Sequence, residues 1–408
     1  MTVHEYITKN WKNVIRIPGE SDKLSFIKMP SPYTTPCIDE LFVNFFYWDT
    51  YFTDLGLIRD GIADQVKNDL DVMAFFIEKL GFVPNADHIL TRTQPPLFTR
   101  DVYNFYKFTG DKKAALKYLP MIFRELSFFE LDRMTPVGLN AYGNNETNLG
   151  KKWYYEEFFR RIGYTDEEKK LGKNKLIDGL LAIAESGWDF TPRFSSDGNR
   201  FDSTSFVHLD LNCILYDAEV KTAEMCGELK MADKAQTYRE KAEKRKKLIN
   251  SILLSPDGIY RDYDFVHKKF SSVVSAASLY PYALGVSTDA KSAENVYEKL
   301  NLKHGLSACE YRGENIAYLQ WDYPSMWPTN VYFAYLAMKN VGLKAEAEEV
   351  SAKYMSTVEK VFDKTGKLWE KYDAEKCAVS VTTEYDTPSM MGWTAGVYDF
   401  LLDEKGLL

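Results

Sequence analysis

The sequence predicts an all-α protein, and three observations carry that prediction. Apolar residues recur at helical spacing in one segment after another, strand-like alternation is scarce, and the helical segments arrive in pairs about every 35 residues. In order, after a polar lead-in over residues 1–35, Pro30 to Pro36 is proline-rich and reads as extended or turning chain. Residues 46–52 then hold five aromatics around one carboxylate, Asp49; a buried helix start accounts for the rings and leaves the acid in need of a partner. Ile62 to Leu80 is a helix by its apolar positions (Ile62, Val66, Leu70, Met73, Ile77), closed by Gly81. Pro95-Pro96 opens a helix over Leu97 to Thr109 that Gly110 ends, and Lys112 to Leu131 is its pair. Further helices are expected over 166–184, 209–226, 231–253, 275–284, 290–300, 329–340, 344–361 and 393–402, with a hairpin around Ile259 to Phe270. No low-complexity linker or charge block divides the 408 residues, so one domain is expected.

Composition narrows the function. Hydrophobic residues at 45% and charged residues at 27% describe a globular chain. A net charge of −8 argues against nucleic acid and acidic membrane surfaces as partners, and no apolar run reaches the roughly 18 residues a membrane helix needs. The five cysteines are widely spread with no CxxC pair, which fits reduced, buried thiols and a cytoplasmic location; the polar N-terminus shows no apolar stretch of signal-peptide length. The five histidines form no pair at ligand spacing, so neither a metal nor another cofactor is expected. Aromatics are abundant, with 27 Tyr, 25 Phe and 8 Trp, which suits either a bulky core or a site that stacks flat hydroxylated ligands. Oligomeric state is left open.

What recurs is a chemistry and its position. Trp48-Asp49, Trp188-Asp189 and Trp321-Asp322 each place an indole beside a carboxylate near a helix boundary or a proline-fixed loop, and Trp369-Glu370, Glu384-Tyr385-Asp386 and Gly392-Trp393 add to the set. An indole can cover the apolar face of a sugar while a carboxylate bonds or protonates its oxygens; the same pair also serves as a packed ring beside a capping acid. Paired helices can stack into an open solenoid or close into a toroid, and in a toroid the loops at one end converge. No phosphate-binding loop, dinucleotide fingerprint or serine nucleophile elbow is present.

The segments Tyr47-Trp48-Asp49-Thr50-Tyr51-Phe52, Arg92-Thr93-Gln94-Pro95-Pro96, Glu185-Ser186-Gly187-Trp188-Asp189-Phe190, Asp210-Leu211-Asn212, Gln320-Trp321-Asp322-Tyr323-Pro324, Glu370-Lys371-Tyr372-Asp373 and Gly392-Trp393-Thr394 resemble, in order, the signatures of the trehalase family, glycoside hydrolase family 37, and several are shared with the related family 63. The resemblance runs from about residue 40 to the end of the sequence. It implies an (α/α)6 toroid and metal-independent, inverting hydrolysis of a small α-glycoside. It assigns the general acid to Asp189 and the general base to Glu384, with Glu370 as the substitute base. It lines the sugar site with Phe46, Tyr47, Trp48, Asp49, Arg92, Gln94, Glu185, Gly187, Trp188, Gln320, Trp321, Asp322, Trp327, Glu370 and Trp393. Inversion needs a protonated carboxyl at the leaving oxygen and an ionised one on the opposite ring face, roughly 6.5–9.5 Å apart so that a water fits between. Arg193 is expected to support the Asp189 loop by pairing within it.

The sequence departs from the family on the leaving-group side. The family's Pro-Gly-Gly-Arg-Phe segment is replaced by Thr35 to Val43, without an arginine; Leu180 to Ile183 stands where an arginine precedes the Glu-Ser-Gly-Trp-Asp motif; and Ala378 to Thr383 stands in place of a glycine-rich lid. The leaving group therefore stays open between trehalose or another small α-glucoside and a glycosylglycerate, for which Arg92 and Arg312 are candidate anion partners. A catalytically silent sugar-binding toroid and a helical scaffold for protein partners are the non-enzymatic alternatives.

Overall fold

The computed structural model describes residues 1–19, 27–39, 41–195, 203–314, 316–382 and 385–408. The chain opens with α1 (Val3–Asn10) and the aromatic helix α2 (Tyr47–Arg59), followed by α3 (Ala63–Leu80), α4 (Phe98–Thr109) and α5 (Lys112–Asp132). An excursion of three helices comes next: α6 (Asn148–Ile162), α7 (Asp166–Lys170) and α8 (Lys173–Ser186). The remainder runs through α9 (Leu209–Glu228), α10 (Ala232–Ile252), the short α11 (Tyr280–Ala283), α12 (Ala290–Leu300), α13 (Pro328–Asn340), α14 (Lys344–Thr365) and α15 (Gly392–Glu404).

Neighbour packing closes these helices into the expected barrel. An inner ring runs α2, α4, α9, α11, α13, α15 and returns to α2. Each inner helix has an outer companion from α3, α5, α10, α12 and α14, and α1 lies against α15 as the sixth. The division follows from the sequence. Inner helices are buried almost all round, as in α2, where every residue from Tyr47 to Ile58 is buried. Outer helices bury one stripe, as α3 does with Val66, Leu70, Met73 and Ile77. The ring is sealed where α2 meets α15, and the contact requires glycine. A Cβ on Gly396 would stand 1.7 Å from the Phe52 carbonyl oxygen, and one on Gly56 would lie 3.0 Å from Gly396 Cα and 2.7 Å from the Trp11 ring.

Several elements differ from the sequence expectation. The lead-in carries a helix, α1, whose start is fixed by a capping box between Thr2 and Glu5; its His4 Nδ1 reaches Asp399 Oδ1 of α15 at 3.0 Å. Helix α6 was not foreseen, because its charged and aromatic sequence buries only Phe158 among the described side chains and shows no apolar stripe. The helix expected over 166–184 is two, α7 and α8, separated at Leu171-Gly172, where Gly172 takes a positive φ of 82°. The 275–284 segment starts as a 3-10 turn, Ala276–Leu279, before α11. The hairpin around Ile259 to Phe270 is present as Tyr263–Asp264 paired with Lys269–Phe270, joined by Phe206–Val207 as a third short strand. A second small sheet pairs Ser325–Met326 with Tyr372–Asp373 and that strand with Ala378–Val379, which ties the 320–327 loop to the 369–373 loop.

Two hydrophobic cores result. The large one fills the barrel; a smaller one, formed by Phe158, Tyr164, Leu176, Ile177, Leu180, Leu181, Ile183, Phe190, Phe194, Phe206 and Leu319, underlies the α6–α8 excursion. Among the described residues no helix is long and apolar enough to cross a membrane.

Candidate active site

The cluster-bearing loops converge on one cavity of about 530 Å³. Phe46, Trp48, Asp49, Arg92, Gln94, Gly187, Asp189, Gln320, Trp321, Trp327, Glu370 and Trp393 line it, so twelve of the residues expected from sequence meet there. Glu384 lies outside the described residues.

The floor is a stack of indoles. Trp321 and Trp327 lie face to face, 3.7 Å between centroids and 4° between planes. Trp48 and Trp188 flank Trp321 at 5.5 and 5.0 Å, and Trp393 meets Trp327 edge-on at 5.8 Å. Interlocked rings of this kind hold one another rigid and present an apolar plate to the cavity. Gly187 makes the assembly possible twice over. Its φ of 76° ends α8 in the left-handed region, and a Cβ there would stand 2.7 Å from Trp48 Cζ2.

Around the plate stand polar groups held by a connected network. Gln320 Nε2 donates to the Tyr385 hydroxyl at 2.7 Å, and that hydroxyl donates to Glu370 Oε1 at 2.7 Å. Lys371, fully buried, donates to Glu370 Oε2 at 2.7 Å, so both oxygens of Glu370 are engaged. Gln320 Oε1 is buried and has no hydrogen-bond partner among the described residues, an acceptor open to a ligand. Gln94 Oε1 accepts from the Trp48 amide at 3.1 Å and so caps the start of α2. Asp49 faces the cavity; burial first, and the charge of Glu370 second, push its carboxyl well above the usual carboxylate range. Asp189 sits at the loop after α8 with its side chain 29% exposed, and its one ion-pair partner among the described residues is Arg161, whose Nη2 stands at 3.8 Å.

Four of the expected site residues stand behind the wall. Tyr47 donates to Glu125 Oε1 at 2.8 Å and accepts from the Phe98 amide at 2.8 Å, bolting α2 to α4 and α5. Glu185 is a strut: it takes Arg133 Nε and Nη2 at 2.9 and 2.8 Å, the Gly143 amide, and the Thr93 amide at 3.1 Å, which positions the Arg92–Gln94 segment. Trp188 is fully buried beneath Trp321. Asp322 spends its carboxylate on the Tyr323 and Leu319 amides and on Arg312, and burial pushes it up to about 6. Arg193 pairs outside its loop, with Asp262 at 2.9 and 2.8 Å and Asp210 at 2.8 Å, its guanidinium lying 4.6 Å over Trp188. Sequence proximity suggested a local partner; the barrel instead brings in residues 17 and 69 positions away.

The cavity also contains residues that sequence reasoning missed. Asn44, Asn85 and His88 come from loops without periodicity, while Glu157 and Arg161 come from α6. A signal for α6 existed in Thr147, whose hydroxyl accepts from the Gly150 amide at 3.1 Å as an N-cap.

Solved structures similar to this fold include hydrolases of glycosides by their descriptions. Neutral trehalase Nth1 from Saccharomyces cerevisiae superposes with a TM-score of 0.74 at 22% identity, over 98% of this chain and 79% of that one. The GH63 mannosylglycerate hydrolase from Thermus thermophilus, solved with Tris and D-glycerate, does so with a TM-score of 0.65 at 16% identity, over 90% and 95%. These likenesses give the fold, the six-hairpin helical barrel. The sequence profile of the Trehalase family matches residues 1–406, and the chain belongs to that family. Among curated relatives, the periplasmic trehalase of Pseudomonas aeruginosa is 30% identical over 420 residues, 96% of this chain and 74% of that protein. That of Xanthomonas campestris is 29% identical over 432 residues, 98% and 73%. These relatives, named as periplasmic, overturn the expectation of a cytoplasmic location. That expectation leaned on the cysteines. All five are free and buried, and a buried thiol is shielded from oxidation in any compartment.

Proposed function

We propose that this glycoside hydrolase cleaves a small α-glucoside with inversion, α,α-trehalose being the first substrate to test, with Asp189 as general acid and Glu384 as general base. One observation carries the reading. Asp189 enters the cavity beside the indole plate without a hydrogen bond from any described residue, whereas the rival carboxylate Glu370 has both oxygens occupied. In the reaction a water on the ring face opposite the leaving oxygen attacks the anomeric carbon and gives a proton to Glu384. The glycosidic C–O bond breaks, and Asp189 gives its proton to the departing oxygen. The products are the β-hexose and the free alcohol. The indole plate stacks on the reacting ring, and Asp49, Gln320 and Arg92 bond its hydroxyls.

A second reading, hydrolysis of a glycosylglycerate, would use the Arg161 guanidinium as the anion's partner, although Glu157 lines the same cavity. Of the two candidates from sequence, Arg92 lines the cavity and Arg312 is committed to Asp322. Hexose release from trehalose, kojibiose, nigerose, sucrose, glucosylglycerate and mannosylglycerate, with the product anomer followed by NMR in the first minutes, separates the readings. β-Glucose from trehalose, absent in Asp189→Asn, is the expected result; an α-anomer as first product would overturn the two-carboxylate assignment.

A further inference from the structure

We infer that helix α6 forms the leaving-group jaw of the cavity, with Arg161 and Glu157 as the residues that select a neutral, hydroxylated leaving group over a carboxylate-bearing one. The inference rests on the glycosidase reading above and deepens it.

Four observations lead there. Residues 157 and 161 are one helical turn apart, so both side chains emerge on the same face of α6, and both line the cavity. The Arg161 guanidinium is braced on aromatic rings, 5.3 Å over Phe190 and 6.0 Å over Phe158, and makes no hydrogen bond to any described residue. Its approach to Asp189, 3.8 Å, is too long for a hydrogen bond, so no described residue takes its donors, and both side chains line the same cavity. Glu157 accepts from Arg160 with one oxygen, and the other accepts from no described residue.

A guanidinium fork and a carboxylate side by side offer donors and an acceptor within one helical turn, the complement of adjacent hydroxyls on a second ring. A carboxylate in the leaving group would find Arg161 but would also face Glu157, and like charges at close range disfavour binding. The volume agrees: about 530 Å³ falls within the range of small-molecule sites and accommodates two pyranose rings.

The test compares two substrates that share the reacting glucose and differ in what leaves. α,α-Trehalose carries a hydroxylated ring into the jaw; α-D-glucosyl fluoride carries none. For Arg161→Gln the ratio of kcat/KM on trehalose to kcat/KM on the fluoride is expected to fall roughly 10- to 100-fold, the loss of a charge-assisted hydrogen bond. Arg161→Lys, which keeps the charge and loses the fork, should recover only part of it. Glu157→Gln is expected to lower the same ratio and to raise turnover of glucosylglycerate relative to trehalose. A ratio unchanged in both Arg161→Gln and Glu157→Gln overturns the jaw, and because it is a ratio, general damage to the fold does not mimic it. The two levels of reading fail differently. Wild-type protein that hydrolyses the fluoride but not trehalose overturns the jaw while leaving the glycosidase intact; hydrolysis of neither overturns both.

Discussion

The floor and the rim of the cavity are built by different means. The floor rests on the barrel core: Trp48 on α2, Trp321 and Trp327 ahead of α13, and Trp393 on α15 interlock across the ring, and their polar companions belong to one network through Gln320, Tyr385, Glu370 and Lys371. The rim beside Asp189 rests on a second, smaller core beneath α6–α8, where Arg161 lies on Phe158 and Phe190. A rigid plate suits a sugar that must be held in one pose. A separately founded rim can change its partner without disturbing that plate. On the proposed reading, the difference puts leaving-group specificity on the excursion and recognition of the reacting sugar on the ring.

The largest expected effect falls on the residue where the two regions meet. Asp189→Asn keeps shape and removes the proposed proton donor, and on that reading kcat for trehalose should fall about a thousandfold with the melting temperature unmoved. Near-normal turnover would detach the chemistry from that loop altogether. Next comes the strut between floor and rim. Glu185→Gln leaves the buried Arg133 with a neutral partner and loosens the Thr93 amide; a loss of about 4 kcal/mol in stability is expected from denaturant titration. Retention of wild-type stability would mean that Arg133 finds another anchor.

The independence of the two cores can be broken directly. Phe158→Ala should cost about 3 kcal/mol, but within the α6–α8 core, so calorimetry should resolve an early transition ahead of the barrel's own. A single transition shifted as a whole would show that floor and rim unfold as one. The smallest effect concerns the scaffolding under the floor. Burial pushes Glu125 up to about 7 from an ordinary 4.5, so between those values the unfolded chain has given up a proton that the folded one retains. This group's contribution is therefore greatest below pH 4.5 and declines as pH rises through 7. Glu125→Gln removes the decline, and relative to wild type the variant should gain about 2–3 kcal/mol between pH 5 and pH 8. A constant difference across that range would place the titration elsewhere.

Legibility in the sequence divides along the same line. Helices α3, α4, α5, α9, α10, α12, α13, α14 and α15 announce themselves through apolar periodicity and glycine stops, because each buries a stripe or a whole surface in the barrel. The floor residues are legible because indole–carboxylate pairs at loop positions are chemically distinctive. Arg161 and Glu157 are not, since a charged residue on a helix without an apolar stripe reads as solvated surface until the fold turns that face inward. Tyr47, Glu185, Trp188 and Asp322 teach the converse. Their motifs mark the site, yet their side chains hold its walls from behind, and a sequence pattern does not distinguish lining from support.

The glycine seal between α2 and α15 carries a consequence for how the enzyme comes into being. Trp48 and Asp49 are synthesised long before Trp393, and the floor joins them only when Gly396 settles against Phe52. A polypeptide interrupted anywhere before α15 lacks both the keystone of the ring and an edge of the sugar platform. Closure of the ring and completion of the sugar platform thereby coincide, and products truncated before α15 are expected to be silent rather than partly competent.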